Sequence, residues 1–200
     1  MILKICGVTD QEDATAAVEA GANTIGFNFY RKSPRYIEPS KAAQIVTPAG
    51  VRRVGVFVNE PAADVEEIGR IAGLHIAQLH GDESPDLYPR VLTIWKAARV
   101  SNGFDLAAYD GLPAEALVLD GPAGELYGGA GKPFDWSVVA GAGRRIVIAG
   151  GLDASNVGRA VELSRPWGVD ACSRIESAPG KKDHHKMTEF LRAARTALLS

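Results

Sequence analysis

The chain has 200 residues, 46% of them hydrophobic and 23% charged, with a formal net charge of −2. That balance is ordinary for a soluble globular protein. It argues against a nucleic-acid surface, and no apolar run nears the roughly 18 residues of a membrane span. The two cysteines are too few for a disulfide scaffold, and the first residues lack the basic and apolar regions of a signal peptide. The expected setting is therefore a reducing cytoplasm.

The first β-rich run is Ile2–Ile5, which stops at Cys6-Gly7. Thr9-Asp10-Gln11-Glu12 then reads as a capping box led by Thr9, and Ala14, Ala17 and Val18 follow at helical spacing. Thr24–Phe27 is the second strand, followed by the basic loop Tyr30 to Tyr36; Val54–Val58 is the third. Pro61 suits the first turn of a helix carrying Val65, Ile68 and Ile71. The strands Ile76–Leu79, Leu92–Lys96, Ala116–Leu119, Ile146–Ala149 and Gly168–Ala171 follow in turn. Met187, Phe190, Leu191, Ala194 and Leu198 form the apolar stripe of a last helix.

Most of these strands are continuous apolar stretches, as expected for strands buried on both faces. Eight of them alternate with helical or loop segments, about 25 residues per unit of the 200. No linker or low-complexity stretch intervenes. The pattern predicts one parallel eight-stranded (β/α)8 barrel over residues 1–200. A doubly wound open sheet is the alternative, but the glycine-rich turn it usually shows after strand 1 is missing, since only Gly7 stands there.

In such a barrel the chemistry sits where the strands end. Strand 1 ends in Cys6, strand 4 in Gln78-Leu79-His80-Gly81 and strand 6 in Asp120-Gly121. Strand 7 ends in Gly150-Gly151 and strand 8 in Asp170-Ala171-Cys172-Ser173. A free cysteine is as often a small buried apolar residue as a reactive one. A carboxylate emerging from Leu117-Val118-Leu119 is costly unless hydrogen-bonded or functional. Gly150-Gly151, ahead of Asp153 and a helix, stands where barrels commonly bind phosphate. Ser173 and helix starts would complete that cradle. Gly128-Gly129-Ala130-Gly131-Lys132 lacks the spacing of a P-loop. His184 and His185 read as solvated residues, and no zinc-ligand spacing occurs.

Taken together, these residues resemble the phosphoribosylanthranilate isomerases of tryptophan biosynthesis. The segments that carry the resemblance begin with Lys4-Ile5-Cys6-Gly7, Gly26-Phe27-Asn28-Phe29-Tyr30 and Ser33-Pro34-Arg35-Tyr36. They continue through Val56-Phe57-Val58-Asn59, Gln78-Leu79-His80-Gly81 and Leu119-Asp120, and end at Gly168-Val169-Asp170 and Ser177 to Asp183. The resemblance implies a cofactor-free Amadori rearrangement of a small phosphorylated substrate, with Asp120 as general acid and Cys6 as general base. It further implies that Arg35 holds the anthranilate carboxylate and that Gln78 and His80 line the pocket. Gly129, Gly151, Asp170 and Ser173 are implied around the phosphate. Such an enzyme would be a monomer or homodimer without metal, nucleic-acid or membrane partners.

The chemistry then requires a protonated Asp120 and a Cys6 thiolate, the latter helped by nearby positive potential. Lys4, two residues earlier on the strand, is a candidate source. Two departures bear on the phosphate end. Arg174 replaces a glycine of the family pattern Ser-Ser-Gly-Val-Glu, so either the backbone there is not left-handed or the cradle is rearranged. Ala130 replaces a threonine. Cys6 and Cys172 end neighbouring strands, so oxidation to a disulfide is testable, subject to register and side-chain direction. The rival on the same scaffold from histidine biosynthesis would end strand 1 in Asp. From another class, the alternative is a non-catalytic protein that binds a phosphorylated sugar.

Overall fold

A computed structural model describes residues 1–121 and 134–198. Eight parallel strands close into a barrel in chain order. They are β1 (Ile2–Cys6), β2 (Thr24–Asn28), β3 (Arg52–Phe57), β4 (Ile76–Leu79), β5 (Thr93–Arg99), β6 (Ala116–Asp120), β7 (Ile146–Ile148) and β8 (Gly168–Ala171). Closure is direct: β1 pairs with β2 through Cys6↔Gly26 and with β8 through Ile5↔Ala171. That excludes the open sheet. The hairpin β9 (Glu176–Ala178) and β10 (Lys181–Lys182) follows β8.

The continuous apolar runs have a simple cause. Alternate residues of each strand face opposite sides, and here both sides are buried. One set packs outward on the helices, in a cluster holding Ile5, Phe27, Leu79, Leu117, Leu119 and Ile148. The other set fills the lower lumen with Ile2, Val54, Ile76, Trp95, Val118 and Val147. Trp167 closes that lumen, its ring edge-on to Trp95.

Among the described residues the α-helices are α1 (Gln11–Ala20), α2 (Pro39–Gln44), α3 (Ala62–Ala72), α4 (Val157–Ser164) and α5 (His184–Leu198). The stripe of α5 packs as expected, with Met187, Phe190, Leu191 and Ala194 all buried; the side chain of Leu198 lies outside the described residues. The start of α1 differs by one residue from the capping box. Asp10 is the cap, accepting from the Asp13 amide at 2.8 Å. Thr9 instead donates its hydroxyl to the Gly180 carbonyl at 2.7 Å, tying the loop after β1 to the β9–β10 hairpin. Pro61 likewise precedes α3 at the cap position. After β4 there is a single 3-10 turn, Pro85–Leu87. Pro89 has no amide hydrogen to extend it.

Strand β3 starts two residues before the apolar pattern because the fold buries Arg53, and β5 runs on through Ala97 and Ala98 to Arg99. Arg53 is 8% exposed. Its guanidinium donates to the carbonyls of Ala42 and Ile45 at 2.7 Å and Ala72 at 2.8 Å, at the ends of α2 and α3. Those are the carbonyls that helix geometry leaves unpaired, and the cation also suits the negative end of each helix.

Candidate active site

The inward column of each strand changes character as it rises to the mouth. On β1 it runs Ile2, Lys4, Cys6; on β6, Ala116, Val118, Asp120; on β8, Gly168, Asp170 and then Cys172. Apolar residues fill the bottom, and the polar residues above them line one cavity open at the C-terminal ends of the strands. Cys6, Arg35, Gln78 and His80 line it, as do Asp120, Gly151, Asp170 and Ser173. The described sequence-predicted residues are thus gathered in one place. Gly129, like Ala130, lies outside the described residues.

Cys6 is buried. The neighbouring Cys172 thiol, with Lys4 and Lys182 adding positive charge, holds the Cys6 thiol well below the ordinary thiol range against the effect of burial. Cys172 is pushed the other way by Cys6 and by burial. Both cysteines are free thiols in the structure.

Lys4 is fully buried, and its Nζ lies 2.6 Å from Asp170 Oδ2. A lone ammonium there would be prohibitive, so Asp170 makes the burial tolerable. Burial pushes the Asp170 carboxyl up to about 7, opposed by Lys4. Asp170 therefore sits deep beside Lys4. Its second oxygen, Oδ1, is buried without a hydrogen-bond partner, as are Gln78 Oε1 and His80 Nε2 in the same cavity. Three unpaired polar atoms converging on one space are a binding surface awaiting a polar ligand. Asp120 is 9% exposed, with Oδ2 3.6 Å from His80 Nε2.

Arg35 reaches the cavity from the loop after β2. It is gripped by Glu176, with Nε 2.9 and 3.2 Å from the two carboxylate oxygens and Nη2 2.7 Å from Oε2. Glu176 also accepts from Lys182 Nζ at 2.8 Å, although neither side chain is more than 4% exposed. Burial works against the Glu176 carboxylate, but Arg35 and Lys182 hold it below the usual range. Composition and spacing did not single out this hub. Its only signal is the placement of Glu176 and Lys182 just after strand 8.

At the far end, Gly150 and Gly151 both have positive φ, and Ser173 opens the 3-10 turn Ser173–Ile175. Arg174 is in that turn and is not left-handed; among the described non-glycine residues only Asn59 and Arg165 are. Its side chain pairs with Asp153 at 3.0 Å, bridging the loops after β8 and β7. His185 is exposed as expected, whereas His184 Nε2 is bound to the buried Asp13 at 2.8 Å. No group of residues suited to a metal ion occurs among the described residues. No described helix is long and apolar enough to cross a membrane.

The family model for N-(5'-phosphoribosyl)anthranilate isomerase matches residues 3–193. The chain belongs to this isomerase family. It is 68% identical over 198 residues to the N-(5'-phosphoribosyl)anthranilate isomerase of Solibacter usitatus, covering 99% of each chain. The crystal structure of phosphoribosylanthranilate isomerase from Thermotoga maritima superposes with a TM-score of 0.90 at 39% identity, covering 98% of this chain and 100% of that one. A second isomerase structure, in complex with reduced 1-(o-carboxyphenylamino)-1-deoxyribulose 5-phosphate, matches with a TM-score of 0.87 at 37% identity over 98% and 100% of the two chains. Family membership accounts for the barrel.

Proposed function

We propose that the chain catalyses the Amadori rearrangement of N-(5'-phosphoribosyl)anthranilate to 1-(2-carboxyphenylamino)-1-deoxyribulose 5-phosphate, with Asp120 as general acid and Cys6 as general base. The carrying observation is a cysteine held toward thiolate in the same buried cavity as a strand-end carboxyl group. β1 and β6 lie three strands apart around the ring, which suits groups acting on different sides of one sugar.

Asp120 gives a proton to the furanose ring oxygen as the C1–O bond breaks, and the anthranilate nitrogen becomes the Schiff base. Cys6 thiolate then removes the proton from C2, leaving an enolamine. The enolamine tautomerises to the C2 ketone, with C1 gaining a proton. Each transfer needs its residue within hydrogen-bond reach of the moving proton.

Glu176 fixes Arg35 through Nε and Nη2, which leaves Nη1 for the anthranilate carboxylate. Gln78 and His80 offer their unpaired atoms to the sugar and the bridging nitrogen. The amides of Gly151 and Ser173 suit the phosphate, and the reading places Gly129 there as well. Asp170 is an acceptor buried beside Lys4, so it suits a sugar hydroxyl better than a phosphate dianion. The same reading places the enzyme in the cytoplasm, as a monomer or homodimer.

The test is turnover of freshly made phosphoribosylanthranilate, followed by loss of its fluorescence. The parent should turn over, and Cys6→Ala and Asp120→Ala should each lose about 10²- to 10⁴-fold in kcat. A folded parent that binds the substrate without converting it would replace this reading with a sugar-phosphate-binding protein.

A further inference from the structure

We propose that Lys96 is a positioning residue for this reaction and acts through His80. Its ammonium, paired with Glu83, holds the main chain on both sides of His80 and so aims the imidazole at the substrate. This rests on the reading of the cavity as the isomerase site, with His80 as a substrate contact.

Lys96 belongs to β5, whose inward residues Trp95 and Ala97 fill the lumen. The period of two turns Lys96 the other way, behind the wall of the cavity rather than in it. It pairs in register with Leu79 of β4, the residue before His80. From there Lys96 Nζ donates to the Leu79 carbonyl at 3.3 Å and to the Gly81 carbonyl at 2.6 Å. One ammonium thus holds the carbonyls of the residues on either side of His80. Its remaining proton goes to Glu83 Oε2 at 2.7 Å. The His80 amide is tied as well, donating to the Phe57 carbonyl of β3 at 2.8 Å.

Glu83 completes the frame. Its Oε1 accepts from the Gly81 amide at 3.0 Å and from the Asn59 amide at 2.9 Å. Asn59, left-handed at φ +54°, accepts in turn from the Asp82 amide at 2.8 Å. Gly81 permits this approach, since a Cβ there would lie 2.3 Å from Asn59 Oδ1. The loops after β3 and β4 are therefore joined around one buried pair, whose side chains are 9% and 7% exposed. Such a pair adds little net stability over apolar residues. What this one supplies is direction.

The direction is read at the ring. Gln78 Nε2 lies 3.2 Å from His80 Nδ1, and an amide donating there puts the ring proton on Nε2. Nε2 is buried without a hydrogen-bond partner and lies 3.6 Å from Asp120 Oδ2. A donor waiting in the cavity beside the proposed acid is useful only where it is held in place. Gln78 sets the turn of the ring, and Lys96 with Glu83 sets the backbone from which it projects.

The test is a double-variant cycle. Lys96→Met/Glu83→Gln removes both charges together and keeps an oxygen for the Gly81 and Asn59 amides, so no buried charge is stranded. It is made in the parent and in His80→Ala, with Arg53→Ala as the control for a merely destabilised barrel. The readouts are kcat/KM for phosphoribosylanthranilate and the calorimetric Kd of reduced 1-(2-carboxyphenylamino)-1-deoxyribulose 5-phosphate. In the parent the paired change should cost about 10- to 100-fold in kcat/KM and about tenfold in affinity. In His80→Ala it should cost less than about twofold, because the group it aims is gone. Glu83→Gln alone, the milder change, should show the same dependence on background, whereas Arg53→Ala should act equally in both. Equal losses in the two backgrounds, or a paired variant within about twofold of the parent on both readouts, overturn the proposal. A parent that binds the reduced product without turnover would overturn the functional reading instead, and the Kd cycle would still decide the role of Lys96.

Discussion

Gly150 offers the sharpest test of how the mouth is built. It follows β7 with φ +80°, and a Cβ added there would lie 2.3 Å from the Gly121 amide nitrogen and 2.7 Å from Asp120 Oδ1. These distances fall 1.1 and 0.7 Å short of the 3.4 Å of an ordinary contact. The Gly150 backbone has little room to retreat, because the neighbouring Ala149 amide is bonded to the Leu119 carbonyl of β6 at 2.8 Å. In Gly150→Ala the Asp120 carboxyl must therefore give way by most of an ångström. A left-handed alanine costs about 1–2 kcal/mol, and the forced repacking adds about 1–3 kcal/mol. For a chain of this length that lowers Tm by roughly 5–15 °C. With Asp120 as the proposed acid, misplacing it by that distance should cost about 10²-fold in kcat/KM. The fluorescence assay below the variant's Tm measures the second effect, and thermal unfolding the first. A kcat/KM within about threefold of the parent with an unchanged Tm would refute the close approach described here.

Other residues give independent checks. Lys4→Met leaves Asp170 buried without its cation and should cost about 3–5 kcal/mol in urea unfolding. Adding Asp170→Leu should recover much of that, and a double variant no more stable than Lys4→Met would count against the pair. Arg53→Ala should lose about 3 kcal/mol, because carbonyls at the ends of two helices lose their donor. Its kcat/KM should stay within about twofold of the parent, since Arg53 lies outside the cavity. Asp170 gives a pH signature: its folded value of about 7 stands above the ordinary 3.8. Its contribution is most favourable below about pH 4 and is lost as pH rises to about 7, approaching ~4 kcal/mol at ~1.4 kcal/mol per unit. Parent stability relative to Asp170→Asn should decline across that window, and a flat difference would rule the shift out.

What the sequence disclosed followed the physics of burial. All eight strands are legible because a strand buried on both faces is mostly apolar, so Ile76–Leu79 and Gly168–Ala171 are placed to the residue. The apolar pattern starts β3 at Val54, two residues late, because Arg52 and Arg53 look like solvent-facing residues. Only the fold shows Arg53 spending its charge on helix carbonyls. Thr9 and Asp10 are both good caps, and sequence could not rank them. Cys6 and Asp120 were legible because each ends an apolar run. The resemblance implies Asp170 near the phosphate, and the period of two puts it in the same inward column as Cys172, one level deeper. The same period applied to Lys4 would have suggested their pairing. The clamp of Glu176 on Arg35 joins residues 141 apart in the chain, and no local pattern encodes such a contact.

The charge arrangement bears on which side of the mouth holds the base. Around Cys6 stand three cations, Lys4, Arg35 and Lys182, bound to two carboxylates, Asp170 and Glu176. That leaves a net positive charge, larger still where the Asp170 carboxyl, raised to about 7, holds its proton, and a Cys6 thiolate offsets part of it. A neutral thiol would leave a buried excess cation, a costly state at low dielectric. The ion-pair partner of Asp120 among the described residues is His80, 3.6 Å away. Exchanging the proposed roles would ask Cys6 to stay protonated where three cations oppose that. The distribution of charge, independently of the family to which the chain belongs, supports the proposed base on β1.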